Sequence, residues 1–86
     1  MPEAARRPDV TAQQVGGDTI LTDPVAGRSH VINATAWWIW DQLDGATTVD
    51  EIATRMAGRY AVDPARARGD VDRILGSFES LGLLGP

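Results

Sequence analysis

The sequence predicts an α+β domain: a three-stranded antiparallel sheet followed by three helices that cover one of its faces. Three observations carry that prediction. Gly16-Gly17-Asp18 separates two short runs containing β-branched residues, helix-start signatures stand at Thr48–Glu51 and Asp63-Pro64, and apolar residues recur at helical spacing after each start. A chain of 86 residues supports one hydrophobic core, and at this size roughly 60% of the unfolded surface is buried on folding. With 43% of its residues hydrophobic, the chain commits most of them to one shared interior.

Met1 to Arg7 mixes Pro, Glu, Ala and two Arg without apolar periodicity, so it reads as a flexible N-terminal extension, leaving residues 8–86 as a single domain. Val10–Val15 and Thr19–Thr22 form the first hairpin, the glycines between them supplying positive φ. Asp23-Pro24-Val25-Ala26-Gly27 sets the next reversal, and Arg28–Ile32 is the third strand. Such a meander is not stable with one apolar face in water, so helices must cover it.

Asn33 or Thr35 caps a first helix that runs to about Asp44 and stops at Gly45, with Ala36, Ile39, Trp40 and Leu43 facing inward. Thr48-Val49-Asp50-Glu51 is a capping box that opens a second helix to about Tyr60, its inner face made of Val49, Ile52, Ala53, Met56 and Tyr60. Asp63-Pro64 opens a third helix to about Leu81, closed by Gly82, with Ala67, Val71, Ile74, Leu75, Phe78 and Leu81 as its inner stripe. Gly69 and Gly76 each weaken that helix by roughly 1 kcal/mol relative to alanine, and the sequence offers no compensating reason.

Composition removes several function classes. The absence of cysteine excludes disulfides, thiolate nucleophiles and cysteine-ligated metals. His30 stands alone without the second ligand a metal site requires, so no metal is assigned. Ser29, Ser77 and Ser80 have neither a partner base nor a Gly-Xaa-Ser-Xaa-Gly elbow, so no catalytic residue is assigned. Gly16-Gly17 is followed by neither Lys nor a helix, which removes a phosphate loop, and no cofactor is expected. No stretch is apolar enough to span a bilayer and no signal-peptide pattern appears, so a cytoplasmic protein without a membrane partner is expected.

The net charge of -4 works against a polyanionic partner, and all eight basic residues are Arg. The alternative reading, a winged-helix DNA-binding regulator, requires a basic third helix. Asp63, Asp70, Asp72 and Glu79 stand there against Arg66, Arg68 and Arg73, so nucleic acid is not the expected partner. Trp37, Trp38 and Trp40 cannot share one helical face at 100° per residue. Trp40 joins the inner stripe, Trp37 lies at its margin, and Trp38 points nearly opposite, where an exposed Trp suits a protein contact.

Val31-Ile32-Asn33, Ile39-Trp40, Leu43-Asp44-Gly45, Thr48-Val49-Asp50-Glu51-Ile52-Ala53 and Leu81-Gly82-Leu83-Leu84 together resemble the PqqD family over about residues 8 to 84. The family includes the peptide chaperone of pyrroloquinoline quinone biosynthesis, and its relatives act as recognition elements in pathways that modify ribosomally made peptides. The resemblance implies a winged-helix-like fold and a bacterial, non-enzymatic module. It also implies that the leader of a precursor peptide joins the third strand as an added edge strand, in a groove walled by the third helix.

Carried onto this chain, the strand is Arg28, Ser29, His30, Val31 and Ile32, and the wall is Asp70, Val71, Arg73, Ile74, Leu75 and Phe78. The short, Lys-free, Arg-rich chain is similar to stand-alone leader-binding members of lasso-peptide clusters, which work beside a leader peptidase and a cyclase. Trp37 and Trp38 depart from the family's pattern, and a docking surface for that partner is expected there. The protein is expected as a monomer or a weak homodimer joined through the strand edge.

Overall fold

The hairpin signals act where the sequence places them. In a computed structural model, which describes residues 3–85, Thr11–Val15 (β2), Asp18–Asp23 (β3) and Arg28–Ile32 (β4) form an antiparallel sheet in the order β2-β3-β4. Gly16 adopts φ +63° in the first turn, and Gly27 adopts φ +67° in the second. The Asp23 carboxylate accepts from the backbone N–H of Val25 and Ala26 at 3.0 and 3.2 Å, which is how an Asx turn replaces missing backbone partners.

The helices start at the predicted caps. Asn33 Oδ1 accepts from Ala36 N at 2.9 Å to open α1, Ala34–Asp41. Thr48 and Glu51 complete a reciprocal capping box for α2, Val49–Tyr60, and the backbone N–H of Thr48 holds the Glu51 carboxyl below its ordinary pKa. Asp63 caps α3, Pro64–Ser80, with Pro64 in its first turn. Gly82, at φ +71°, turns the chain beyond it.

Three expectations are corrected. The N-terminal segment is not a free extension from Met1 to Arg7: Glu3–Arg6 is strand β1, while Met1 and Pro2 lie outside the described residues. It pairs with Asp44–Thr48 (β5) on one side and Leu84–Gly85 (β6) on the other, so among the described residues six strands in two sheets replace the three expected. The first helix ends at Asp41 rather than about Asp44, because Asp44 is drawn into β5. Arg6, on β1, reaches the carbonyls of Trp40, Asp41 and Leu43 at 3.2–3.3 Å and satisfies a helix end that has no basic residue of its own.

One core joins the layers. Leu21 of β3 meets Ile39, Trp40 and Leu43 near α1, Ile52 and Met56 of α2, and Val71 and Phe78 of α3. The Trp40 and Phe78 rings pack edge to face with centroids 5.2 Å apart. Two residues expected in this core are corrected outward: Tyr60 is 39% exposed and Leu81 is 43% exposed. Tyr60 is the last residue of α2 and Leu81 the C-cap of α3, so each stands at a helix end. No side chain approaches the positions of Gly69 or Gly76, so packing gives no reason for either glycine.

Arg7 ties the parts together. Its guanidinium donates to both Asp23 oxygens at 2.9 and 3.1 Å, to both Asp9 oxygens at 2.6 and 3.2 Å, and to the Gly82 carbonyl at 2.9 Å. Its backbone N–H donates to Leu83 O at 3.0 Å. The Asp23 side chain is only 3% exposed, so this charge is shielded from water and depends on its cation. The hydrogen bond from Arg7 is the leading cause that holds both Asp9 and Asp23 below the ordinary carboxylate range.

Arg7→Met is expected to lower the urea midpoint at pH 7. Both carboxyls titrate lower in the folded chain, so their contribution is complete above the unfolded carboxylate pKa of about 4 and is lost as pH falls through the folded values. The difference between Arg7→Met and the parent is therefore expected to narrow below about pH 4. Ala61, the C-cap of α2, is the one non-glycine residue at positive φ among the described residues, at 52°. Ala61→Gly is expected to stabilise the protein by about 0.5–1 kcal/mol in urea unfolding, because left-handed strain outweighs the added freedom of the unfolded chain.

Candidate functional site

β4 is an outer strand of its sheet: β3 pairs along one side, and among the described residues nothing pairs along the other. The backbone N–H and C=O groups of an open edge are available to another chain. Across from this edge stands α3, and between them lies a cleft of about 740 Å³. Its strand wall is Ser29 to Ile32, continuing through Asn33, Thr35 and Ala36 where α1 begins. Its helix wall is Asp70, Arg73, Ile74, Ser77, Phe78 and Leu81.

The strand register sorts the side chains of β4 between two faces. His30 pairs with Leu21 and Ile32 with Thr19, both buried, so His30 and Ile32 face the helices and are half-buried. Val31 pairs with Ile20 and Ser29 with Thr22 on the outer face, where Val31 is 68% exposed. A peptide strand added here alternates in the same way. Every second side chain enters the cleft toward Ile74 and Phe78, and those between lie beside Val31.

Of the expected groove residues, the cleft brings together Ser29, His30, Val31, Ile32, Asp70, Arg73, Ile74 and Phe78. Arg28 lies outside it, at the start of β4 opposite Asp23. Val71 is corrected: it is fully buried behind the wall and cannot touch a ligand, and Leu75 is buried beside it. Phe78 is almost fully buried and forms floor rather than rim. Sequence reasoning missed Asn33, Thr35, Ala36, Ser77 and Leu81. The signal for Ser77 and Leu81 was present, since 70, 74, 77 and 81 fall on one helical face.

The rim is nearly neutral. Asp70 lies 3.3 Å from Arg73 and 3.9 Å from Arg66, while Arg68 pairs with Asp72 at 3.1 Å and with Asp50. Every arginine of α3 thus faces a carboxylate, and no cationic stripe of the kind that follows a phosphate backbone is formed. These pairs are exposed and each contributes about 0–1 kcal/mol. Among the described residues no three His, Asp or Glu converge on one point. Ser77 Oγ donates to Arg73 O at 3.2 Å and Ser29 Oγ lies 3.3 Å from Thr22 Oγ1, so neither is paired with a base. The cleft offers a backbone edge, an apolar floor and a polar rim.

The sequence from residue 18 to residue 84 matches the family described as coenzyme PQQ synthesis protein D, PqqD. The chain belongs to the PqqD family. The match takes in β3, β4 and all three helices, and so both walls of the cleft. The PqqD fold here also resembles two solved structures. One is "TbiB1 in Complex with the TbiA(beta) Leader Peptide", with a TM-score of 0.82, 20% identity and 93% of each chain covered. The other is "Lasso peptide synthetase B1 complexed with the leader peptide", with a TM-score of 0.84, 24% identity, and 98% of this chain and 99% of that one covered. At such identities the likeness shows the fold. No curated protein matches significantly.

The tryptophans are distributed differently from the expectation. Trp40 is core, as its spacing implies, but Trp38 does not point freely away. It is half-buried, meets the Tyr60 ring edge-on at 6.1 Å, and has the Arg59 guanidinium 5.9 Å from its ring centroid. Trp37 is also half-buried and packs against the edge of the core.

The two walls of the cleft differ in what they give to stability. Phe78→Ala is expected to cost about 3–5 kcal/mol in urea unfolding, since it empties the contact with Trp40. Val31→Arg is expected to change stability by less than about 0.5 kcal/mol, since the side chain already stands in water.

Proposed function

We propose that this PqqD-family protein binds the leader segment of a ribosomally made precursor peptide as an added strand on β4, and presents it to separate processing enzymes of a lasso-peptide pathway. The observation that carries this reading is the open edge of β4 facing the α3 cleft from Ser29 to Ile32. Main-chain hydrogen bonds to such an edge give affinity for any extended peptide, and the alternating pockets select its side chains. The two similar solved structures are complexes with leader peptides.

Chemistry on the leader is assigned to partners. The cleft residues bind and orient, and the protein acts without catalysing a reaction. A leader peptidase and a cyclase, acting in the cytoplasm, receive the presented peptide. Trp37 and Trp38, half-buried at the margin of the core, with Tyr60 and Arg59 packed on Trp38, are the proposed contact for the peptidase. Aromatic and arginine side chains of this kind dominate protein interfaces.

Titration of the labelled precursor peptide encoded beside the gene is expected to give saturable binding, with the leader alone binding as tightly as the full peptide. Ile74→Asp is expected to weaken it at least about tenfold, equivalent to 1.4 kcal/mol, by placing a charge on the apolar wall. Trp38→Ala is expected to leave leader affinity unchanged while reducing recruitment of the peptidase. Absence of saturable binding to the precursor contradicts the proposal.

A further inference from the structure

α3 carries two glycines that its packing does not require. Gly69 and Gly76 lie inside the 17-residue helix, seven residues apart and therefore on one side of it, and both are exposed. Neither adopts positive φ, and a Cβ at either position meets nothing within 4 Å. Alanine fits at both, and its helix propensity favours the helix about fivefold over glycine at each. The helix thus keeps two weak points where a stronger residue fits.

Their placement follows the cleft. Asp70, Arg73 and Ile74 of its helix wall lie between the two glycines, and Ser77 of the same wall follows Gly76 directly. Paired glycine and serine are among the few causes of bends in helices. The serine here adds a second cause, because Ser77 Oγ donates to Arg73 O at 3.2 Å, the carbonyl that the helical ladder assigns to the Ser77 N–H. When the helix bends there and that N–H draws away, the hydroxyl keeps the carbonyl partnered.

On either side of this stretch the helix is anchored. Asp63 caps its start and Arg68 pairs with Asp50 of α2, immediately before Gly69. Phe78 packs against Trp40, immediately after Ser77. Val71 and Leu75, on the side away from the glycines, hold the stretch to the core. The motion left to it is a small shift of the wall toward or away from β4.

We infer that α3 is a compliant wall, hinged at Gly69 and at Gly76-Ser77, whose shift relative to β4 fits the width of the cleft to the side chains of the bound peptide. This rests on the peptide-binding reading above. A rigid, close-packed wall accepts one size of side chain opposite Ile74, whereas a hinged one accepts several. Helix stability is given up for breadth of recognition, a common exchange between stability and function.

The test compares the full-chain parent with the double variant Gly69→Ala/Gly76→Ala and with Gly58→Ala. The last makes the same exchange in α2, at a position equally free of neighbours and outside the cleft lining. The double variant is expected to unfold at a higher urea concentration than the parent; a lower midpoint shows that the fold needs these glycines and overturns the inference. In the free proteins, amide exchange within residues 70–77, followed by NMR, is expected to be at least about fivefold slower in the double variant than in Gly58→Ala. Equal exchange overturns the hinges.

The binding probes are the labelled leader of the precursor encoded beside the gene and copies of it with each residue in turn replaced by tryptophan. At cleft-facing positions the parent and Gly58→Ala are expected to lose no more than about threefold in affinity, and the double variant at least about tenfold. Equal losses in all three proteins at every position overturn the compliant wall and leave strand addition intact. A double variant that loses no more than Gly58→Ala relative to the parent has the same meaning. Saturable binding of none of the peptides to the parent overturns both.

Discussion

The side chain of Arg7 occupies the point where the two sheets and the C-terminal turn meet. Its partners are the neighbouring Asp9 and two segments distant in sequence, Asp23 at the end of β3 and Gly82 after α3. Asp23 also shapes the turn that leads into β4, through its bonds to Val25 and Ala26. The same carboxylate thus sets where β4 starts and anchors that end of the hairpin to the rest of the molecule. A buried carboxylate without its cation is strongly unfavourable, so the arrangement tolerates few alternatives. The position of β4 relative to α3, on which the cleft depends, is held at this corner and by the Leu21 core behind it.

An exposed strand edge is not by itself a recognition site. β2 also lies at an edge of its sheet, but all five of its residues are exposed. β4 differs because α3 runs across from it with Ile74 and Phe78 turned inward. Backbone groups at either edge give affinity without selectivity, whereas a facing apolar wall turns every second side chain of an added strand into a contact that discriminates. Near-neutrality of the rim fits this division: the arginines of α3 are spent on aspartates of the same chain rather than left to attract a polyanion.

Elements with strong local chemistry were legible in the sequence. The Gly16-Gly17 reversal, the Asp23–Gly27 turn and the caps at Asn33, Thr48 and Asp63 all stand where their side chains predict. Two segments were hidden. Glu3–Arg6 and Asp44–Thr48 pair with each other across the chain; Glu3–Arg6 has no β-branched residue, and in Asp44–Thr48 the Asp-Gly start and the capping Thr48 read as a loop leading into a helix. Within the site, periodicity identified the inward face of α3 but did not separate its two sectors. Val71 and Leu75 face the core, while Asp70, Ile74, Ser77 and Leu81 lie a fraction of a turn away and face the cleft. Tyr60 follows the core period of α2 and yet lies at its surface, as the last residue of that helix.

The central claim is that a leader peptide extends the sheet at β4, and amide hydrogen exchange followed residue by residue by NMR tests it most directly. With the precursor leader bound, the account predicts slowed exchange at outward-facing amides within Ser29–Ile32, together with shifts at Ile74 and Ser77, while the edge of β2 exchanges as it does in the free protein. Protection at Thr11–Val15 in place of β4, or tight binding with no change in β4 exchange, would contradict it.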